Sequence, residues 1–144
     1  MAADEGALPE PVARMMADDL ASANLGMEVL AAAPGTATVR MTITDTMVNG
    51  HAIAHGGYVF LLADTTFACA CNSHGPVTVA AGADITFVSP ARAGDVLVAH
   101  GVERARYGRS GIYDVTVHRG ELGGEVVAEF RGRSRTFPPT GERT

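Results

Sequence analysis

The chain has 144 residues, of which 47% are hydrophobic and 19% are charged. This length suits one domain with a sizeable core, and the composition is that of a globular protein rather than a disordered one. The formal net charge of −5 argues against a general binder of nucleic acids or anionic membranes, because both require a surplus of positive charge. We expect one domain over residues 1–144, with an ordered core at about 9–137 and flexible ends.

Neither a secretory signal nor a membrane span is apparent. The first residues, "MAADEGALPEP", are acidic and contain proline, which is unlike a signal peptide. The longest apolar run, Tyr58 to Ala63, is far shorter than the ~20 residues that cross a bilayer. Cys69 and Cys71 would point in different directions on a helix and could not bridge each other. We therefore expect both cysteines to pack in the core, and a reducing, cytoplasmic location.

The first part of the chain predicts a helix and a hairpin. Residues 11–23 follow a proline suited to a first helical turn and place apolar side chains at helical intervals. The segments "LGMEVLAAA" and "TATVRMTIT" flank a Pro-Gly turn signal. Within the second segment, Val39, Met41 and Ile43 alternate with polar residues, which is the period of a half-buried strand. A short amphipathic helix followed by a β-hairpin is the expected arrangement.

A second helix, from Gly57 to about Ser73, is apolar on nearly all sides and should therefore be buried. The sequence "NSHGP" contains the signals that end it. The rest of the chain predicts strands separated by turn sequences: Val77–Val88, Asp95–Arg106, Gly111–His118 and Glu125–Phe137. The simplest structure with this order is an antiparallel sheet wrapped around one long central helix, with a short N-terminal helix. This is the α+β hotdog fold.

The segment "NGHAIAHGGYVFLLADTTFACACNSHG", residues 49–75, resembles the signature of the phenylacetic-acid-degradation (PaaI-type) hotdog thioesterases. The pieces "LGMEVL", "GADITFVSPARAGD", "GIYDVTV" and "VAEFRGRS" are also similar, so the resemblance spans about residues 12–136. It implies hydrolysis of phenylacetyl-CoA or hydroxylated phenylacetyl-CoA thioesters to free acid and CoA. No cofactor is implied, since CoA is part of the substrate. It also implies homodimers that associate into tetramers, with the active site at a dimer interface.

The same resemblance implies roles for particular residues. The helix carboxylate that reacts in the family corresponds to Asp64, and the backbone N–H that polarises the thioester carbonyl corresponds to Gly56. Three further positions match residues that line the reacting group: Asn49, His55 and Thr65. In part of the family an asparagine of the N-terminal helix also lines the acyl pocket. The chain has Asp18 at that position, and we assign no role to it.

Physical arguments support a site built from two chains. Backbone N–H groups at a helix start lack intrahelical partners and carry the positive end of the dipole. Gly56 and Gly57 should lie there, and their missing side chains would allow a carbonyl to approach closely. Asp64 lies eight residues beyond Gly56, or ~12 Å along a helix, which is too far for both to act on one carbonyl carbon. Antiparallel helices from two subunits would bring them together, with Asp64 acting as nucleophile or general base.

Structural roles for these residues must also be considered. Asp64 could be a buried acid bonded by the hydroxyls of Thr65 and Thr66, but an uncompensated charge in an apolar helix costs several kcal/mol, so we favour a role in the reaction. His55 could equally hold the loop by bonding to the backbone. His51 and His55 have the i, i+4 spacing of a helical metal pair, but flanking glycines argue against a helix there. No metal site is therefore expected.

An acidic protein that binds CoA needs local positive charge for its phosphates. Arg109 and Ser110, at the turn "YGRSG", are the preferred contacts. Two other sets of arginines could serve, or could simply cover a solvated face: Arg104 and Arg106 near the same turn, and Arg131, Arg133 and Arg135 on the last strand.

Two rival functions fit the same fold. A hotdog acyl-CoA hydratase or dehydratase needs a histidine and an acid that act together at an α-carbon, whereas a lone helix acid beside threonine fits hydrolysis better. A non-catalytic acyl-CoA-binding domain would lack the acid or the glycines, and this chain has both.

Overall fold

The computed structural model describes residues 7–138. The helices are α1 (Glu10–Ala17), α2 (Leu20–Asn24) and α3 (Gly56–Asn72), with a short 3-10 turn at Asp45–Met47. The strands are β1 (Glu28–Ala33), β2 (Thr36–Thr42), β3 (Thr78–Phe87), β4 (Val96–Tyr107), β5 (Ser110–Arg119) and β6 (Val126–Thr136). The flexible ends expected from the sequence, and most of the acidic first segment, lie outside the described residues.

All six strands form one antiparallel sheet in the order β1-β2-β4-β5-β6-β3. The sheet curls around α3, which packs against every strand. This confirms the predicted hotdog fold. The hairpin of β1 and β2 turns at Gly35, whose φ of 79° lies in the left-handed region that glycine adopts without strain. The long strands match their predicted spans to within one or two residues.

Helix α3 is the centre of the core, as its apolar sequence predicts. Leu62, Ala63 and Ala70 are fully buried, and Phe67 is 1% exposed. The sheet approaches the helix closely where a strand has glycine, which has no side chain. A Cβ at Gly132 of β6, for example, would lie 2.8 Å from the Phe67 ring. Glycine on the strand therefore leaves the space that the aromatic ring of the helix fills.

The N-terminal segment differs from the single helix expected over residues 11–23. The structure has two short helices, α1 and α2, because the chain turns at Asp18 and Asp19. The Asp19 carboxylate accepts a hydrogen bond from the Ser22 N–H at 2.9 Å and thereby begins α2. An aspartate in this capping position stabilises a new helix start more than it would a continuing helix.

The two cysteines are buried and unbridged, in agreement with the packing role expected for them. Burial raises the pKa of both thiols, Cys69 and Cys71, to about 12. They are therefore protonated at neutral pH and unsuited to nucleophilic attack. Between residues 7 and 138, no helix combines the length and the apolar character needed to cross a membrane.

Candidate active site

The loop before α3 is held in a fixed, non-helical shape. The Asn49 side-chain oxygen accepts the His51 N–H at 2.9 Å, and the Asn49 N–H donates to the carbonyl of Ile53 at 2.8 Å. The loop is tied to its surroundings by the His55 N–H, which donates to the Met47 carbonyl at 2.7 Å. His51 and His55 therefore do not form the helical pair that a metal site would need. Nor do residues 7–138 contain a group of three or more His, Cys, Asp or Glu side chains that could hold a metal ion.

Helix α3 begins with one backbone donor unused. His55 is its N-cap, and the Nδ1 atom of that ring accepts the Gly57 N–H at 3.1 Å. This bond assigns the proton of a neutral His55 ring to Nε2. Within the described part of the chain, the Gly56 N–H has no hydrogen-bond partner. Of the two glycines predicted to bind a carbonyl oxygen, Gly56 is thus the one with a free donor.

The start of α3 borders a mainly apolar pocket of about 470 Å³. Its walls come from the loop before the helix, from the helix itself and from the end of β3: Asn49, Ile53, Ala54, Gly56, Val59, Phe87, Val88, Ser89, Pro90, Ala91 and Val127. The ring of Phe87 packs directly over Gly56, where an added Cβ would lie 2.9 Å from it. The sequence analysis missed Phe87, because it lies 31 positions after Gly56 and only the folded sheet brings them together.

Asp64 lies in the middle of α3, half-buried and away from this pocket. Its carboxylate has no hydrogen bond or ion pair to any residue between 7 and 138. The two hydroxyls that could have satisfied it are used elsewhere. Thr66 Oγ1 donates to the Leu62 carbonyl at 2.8 Å, and Thr65 Oγ1 bonds to Ser22 Oγ at 2.8 Å. A purely structural role for Asp64, as a buried acid bonded by Thr65 and Thr66, is therefore not supported, because neither hydroxyl bonds to it.

The electrostatic surroundings make Asp64 a strong base for a carboxylate. Burial raises the pKa of its carboxyl group above the ordinary aspartate value, and the negative charge of Asp19 raises it further. Both effects disfavour the charged form. Asp19, the N-cap residue of α2, was also missed in the sequence analysis. The spacing of Asp19 and Ser22 suits a helix cap, but the sequence does not show that Asp19 lies near Asp64 of α3.

The predicted residues therefore fall into two groups within one chain. Asn49, His55 and Gly56 lie at the start of α3, whereas Asp64 and Thr65 lie at its middle. The helix is regular between them, which separates the groups by ~12 Å along its axis. One chain alone does not bring the free N–H and the carboxylate together.

Arg109 and Ser110 lie at the far end of α3. With Arg106 and the buried Ser134 they line a small pocket of about 80 Å³. The Arg109 side chain is exposed and, within residues 7–138, takes part in no ion pair.

Three neighbouring arginines, in contrast, form ion pairs with aspartates. Arg104 and Arg131 both bond to Asp114, at 2.8 and 2.7 Å, and they lower the pKa of that carboxyl group to about 2. Arg133 pairs with Asp84 at 2.9 Å. The predicted alternative set on the last strand is thus partly committed to ion pairs on the outer face.

Comparison with known proteins agrees with this architecture. A family model described as the Thioesterase superfamily matches residues 51–126. The acyl-coenzyme A thioesterase PaaI of Escherichia coli K12 is 41% identical over 126 residues, which cover 88% of this chain and 89% of that protein. A putative esterase of Deinococcus radiodurans is 42% identical over 109 residues, covering 75% and 73% of the two chains. The structure of the E. coli PaaI protein, from the phenylacetic acid degradation operon, has a TM-score of 0.86 at 38% identity and covers 90% of this chain and 92% of that one.

The wrapped helix, its glycine start and these matches define a hotdog thioesterase, and the chain belongs to the thioesterase superfamily. It is accordingly a thioester hydrolase. Its similarity to PaaI extends over most of both chains, which confirms the resemblance to the PaaI-type family inferred from residues 49–75.

Proposed function

We propose that this protein is a cytoplasmic thioesterase that hydrolyses phenylacetyl-CoA or hydroxylated phenylacetyl-CoA to the free acid and CoA. The observation that carries the proposal is the unpaired Gly56 N–H at the wall of an apolar pocket. Such a pocket suits an aryl-acetyl group, and the N–H suits the carbonyl oxygen beside it. The E. coli relative is named an acyl-coenzyme A thioesterase, which supports acyl-CoA thioesters as the general substrate class.

The proposed reaction needs a donor and a carboxylate. The Gly56 N–H, together with the positive end of the α3 dipole, stabilises the negative charge that develops on the carbonyl oxygen. In one route the neighbouring subunit's Asp64 takes a proton from a water molecule that attacks the carbonyl carbon, and the C–S bond breaks to give the free acid and the CoA thiolate, which is a good leaving group. In the other route Asp64 attacks that carbon itself and the CoA thiolate leaves first. Water then hydrolyses the resulting mixed anhydride, which releases the free acid and restores the carboxylate of Asp64. CoA is part of the substrate, and the proposal includes no cofactor or metal.

The remaining site residues have supporting roles in this proposal. Asn49 lines the pocket and shapes the loop before α3, while Thr65 lies beside the carboxylate. His55 fixes the helix start through its bond to the Gly57 N–H, which leaves Gly56 as the donor that faces the substrate. Asn49 and His55 would orient the thioester rather than take part in bond making, whereas the buried Thr65, bonded to Ser22, would support the helix next to the carboxylate.

Self-association would supply the missing half of the site. Strand β3 is an edge of the sheet, and its exposed apolar side chains include Val79 and Phe87, 42% and 54% exposed. A ten-residue edge with apolar side chains is a template for pairing with another chain. Antiparallel addition of a second copy would place two α3 helices side by side. We propose such a homodimer, with two dimers forming a tetramer.

A charge introduced on the β3 edge is expected to oppose self-association. The native protein at micromolar concentration should elute as an oligomer with no stable monomer. Val79→Glu should weaken association and activity together, because a charge on an apolar edge opposes pairing. Leu30→Glu is the matched control, since Leu30 is also 42% exposed but lies on β1 at the opposite edge. Light scattering and turnover at the same concentration provide the measurement. An active Val79→Glu monomer would contradict the two-chain site.

Arg109 and Ser110 are the proposed contacts for the CoA phosphates. Arg109 has a guanidinium without an ion pair in residues 7–138, next to a pocket whose volume of about 80 Å³ suits a phosphate-sized group. Charge-assisted bonds from arginine to phosphate are among the stronger hydrogen bonds in proteins.

Arg109→Ala should mainly raise KM for acyl-CoA and leave kcat nearly unchanged, because the lost contact is remote from the reacting carbon. The salt dependence of KM should become weaker as well, since one screened charge pair is removed. Arg40→Ala, which breaks a surface pair with Glu28 elsewhere on the sheet, is the control. Equal KM values for the two variants would show that Arg109 does not bind the CoA phosphates.

The function itself is tested with purified protein and phenylacetyl-CoA, by following free-thiol release. Hydroxylated phenylacetyl-CoA and short-chain acyl-CoA thioesters complete the panel and define the acyl preference. Thiol release that is fastest with the aryl-acetyl substrates is the expected result. Hydration of crotonyl-CoA without thiol release would instead indicate a hydratase, and tight binding without turnover a non-catalytic domain.

A further inference from the structure

Nearly half of the residues that line the pocket beside Gly56 come from one stretch of chain. Phe87 ends β3, and residues 88–91 follow it along the pocket. These four residues, which we call the wall segment, form neither helix nor strand. The position of the wall segment is therefore set by the contacts that its individual residues make.

Each end of the wall segment is bonded to a neighbouring part of the fold. At its beginning, the N–H groups of Val88 and Ser89 donate to the Val127 carbonyl of β6 at 2.8 and 3.2 Å. At its end, the Ala91 carbonyl accepts the Ala54 N–H at 2.7 Å. Ala54 belongs to the loop that leads into α3, so this bond joins the two sides of the pocket.

Between these two ends, Pro90 is held by the side chain of Arg119. The Arg119 Nη1 atom donates to the Pro90 carbonyl at 2.8 Å and to Asp95 Oδ2 at 3.3 Å, while Nη2 donates to Glu125 Oε1. Asp95 directly precedes β4, and Glu125 directly precedes β6. The planar guanidinium presents its N–H groups in a fixed fork, so one side chain sets the relative positions of three segments.

The bond to Pro90 distinguishes Arg119 from an ordinary surface ion pair. The side chains of Arg119 and Asp95 are 29% and 28% exposed, and ion pairs of such partly exposed groups contribute little to stability. The Pro90 carbonyl, however, belongs to the backbone of the pocket wall. Pro90 is exposed to solvent whereas Ala91 is 2% exposed, so loss of the Arg119 bond would allow the wall segment to move outward and widen the pocket.

We propose that Arg119 is a positioning residue that holds the wall segment in place and thereby sets the preference of the enzyme for large acyl groups. This inference rests on the proposed function of the pocket as the acyl site. A ring in an apolar pocket contacts the walls on both sides, whereas an acetyl group makes few contacts with either. Movement of one wall therefore weakens the binding of the large group more than that of the small one.

The first test compares two substrates in Arg119→Met, which keeps an unbranched apolar stem but removes every donor. kcat/KM for phenylacetyl-CoA should fall by about 3- to 10-fold, whereas kcat/KM for acetyl-CoA should change by less than about twofold. Both substrates contain CoA, so effects on CoA binding cancel in the ratio. Arg40→Met is the matched control, because Arg40 also bonds to a carboxylate, that of Glu28, but to no residue of the wall segment.

Amide hydrogen exchange gives a second readout that requires no turnover. The Ala54 N–H is bonded to the wall segment, so it should exchange at least about tenfold faster in Arg119→Met than in the native protein. The Phe67 amide, in the middle of α3, reports on the stability of the whole fold and should exchange nearly as in the native protein. A purely structural role of Arg119 would accelerate the exchange of both amides together.

Unchanged Ala54 exchange in Arg119→Met would overturn the inference, and so would faster exchange with an unaltered substrate ratio. An equal change of the ratio in Arg40→Met would also overturn it, because that substitution does not touch the wall segment. Absence of thiol release by the native protein would instead contradict the proposed function. The preference assigned to Arg119 would then fail as well, even with the expected change in Ala54 exchange, so the two failures are distinguishable.

Discussion

Asp64→Asn is expected to lower kcat for phenylacetyl-CoA by at least ~10²-fold, the usual scale for loss of a general base, and by more if Asp64 attacks directly. Asparagine keeps the size of the side chain but removes both basicity and nucleophilicity. Substrate binding should remain, because the Gly56 donor and the proposed CoA contacts are unchanged. Free-thiol release under saturating substrate measures the effect.

The same substitution should stabilise the fold at neutral pH. Burial and Asp19 raise the pKa of Asp64 in the folded state above the value of ~3.9 that an aspartate has in an unfolded chain. The folded state then binds the proton more tightly, so the native protein loses stability as pH rises through the interval between the two values. Below that interval Asp64 is protonated and the cost disappears. Asp64→Asn should therefore melt higher than the native protein at pH 7, and the difference should vanish in acid.

Thermal melts of both proteins from acid to neutral pH complete this experiment. Near-normal kcat in a well-folded Asp64→Asn protein would contradict the proposed mechanism. A lower melting temperature at pH 7 would instead indicate that the carboxylate stabilises the fold, in conflict with its lack of bonding partners in residues 7–138.

Gly56→Pro is expected to remove the carbonyl donor itself and to lower kcat by ~10²–10³-fold, as loss of one oxyanion donor typically does. Proline is well tolerated at the first position of a helix, where the N–H has no intrahelical partner. The preceding residue, His55, has φ −64° and ψ 133°, which is the extended conformation that proline prefers before it. The helix should therefore form normally without the donor.

Steric effects at Gly56 need their own control, because a Cβ there would lie 2.9 Å from the Phe87 ring. Gly56→Pro and Gly56→Ala should be compared in a Phe87→Ala background, where the ring is absent. Alanine adds the Cβ but keeps the N–H, so Gly56→Ala should retain much more activity than Gly56→Pro. Provided that Phe87→Ala alone is active and oligomeric, equal kcat values for the two double variants, with unchanged helical content by circular dichroism, would show that the Gly56 N–H does not bind the carbonyl oxygen.

The sequence predicts the fold well because its strongest signals are local. Glycine and proline mark the ends of the elements, so the predicted helix at Gly57–Ser73 differs from α3 by one residue at each end. The break at Asp18 and Asp19 was not predicted, because helix α2 has only five residues and depends on one capping bond.

The site is less accessible from sequence because it depends on contacts between distant segments. The His55 ring accepts the Gly57 N–H, whereas the Gly56 N–H stays without a partner within residues 7–138. A glycine motif in the sequence does not reveal this difference between the two glycines. Likewise, the link from Ser22 to Thr65 joins residues 43 positions apart. The roles of Asp64, Gly56 and the CoA contacts stay predictions until the variants are measured.

The distance between Gly56 and Asp64 on one rigid helix has a genetic consequence. In the proposed dimer each site combines Gly56 of one chain with Asp64 of the other. When one chain carries a defective Gly56 and the other a defective Asp64, the native residues of both chains still meet in one intact site. When a single chain carries both lesions, it spoils both sites of the dimer. Two genes that each carry one of these lesions should therefore complement each other. A gene that carries both lesions should be dominant over the native gene, because its product inactivates the mixed dimer.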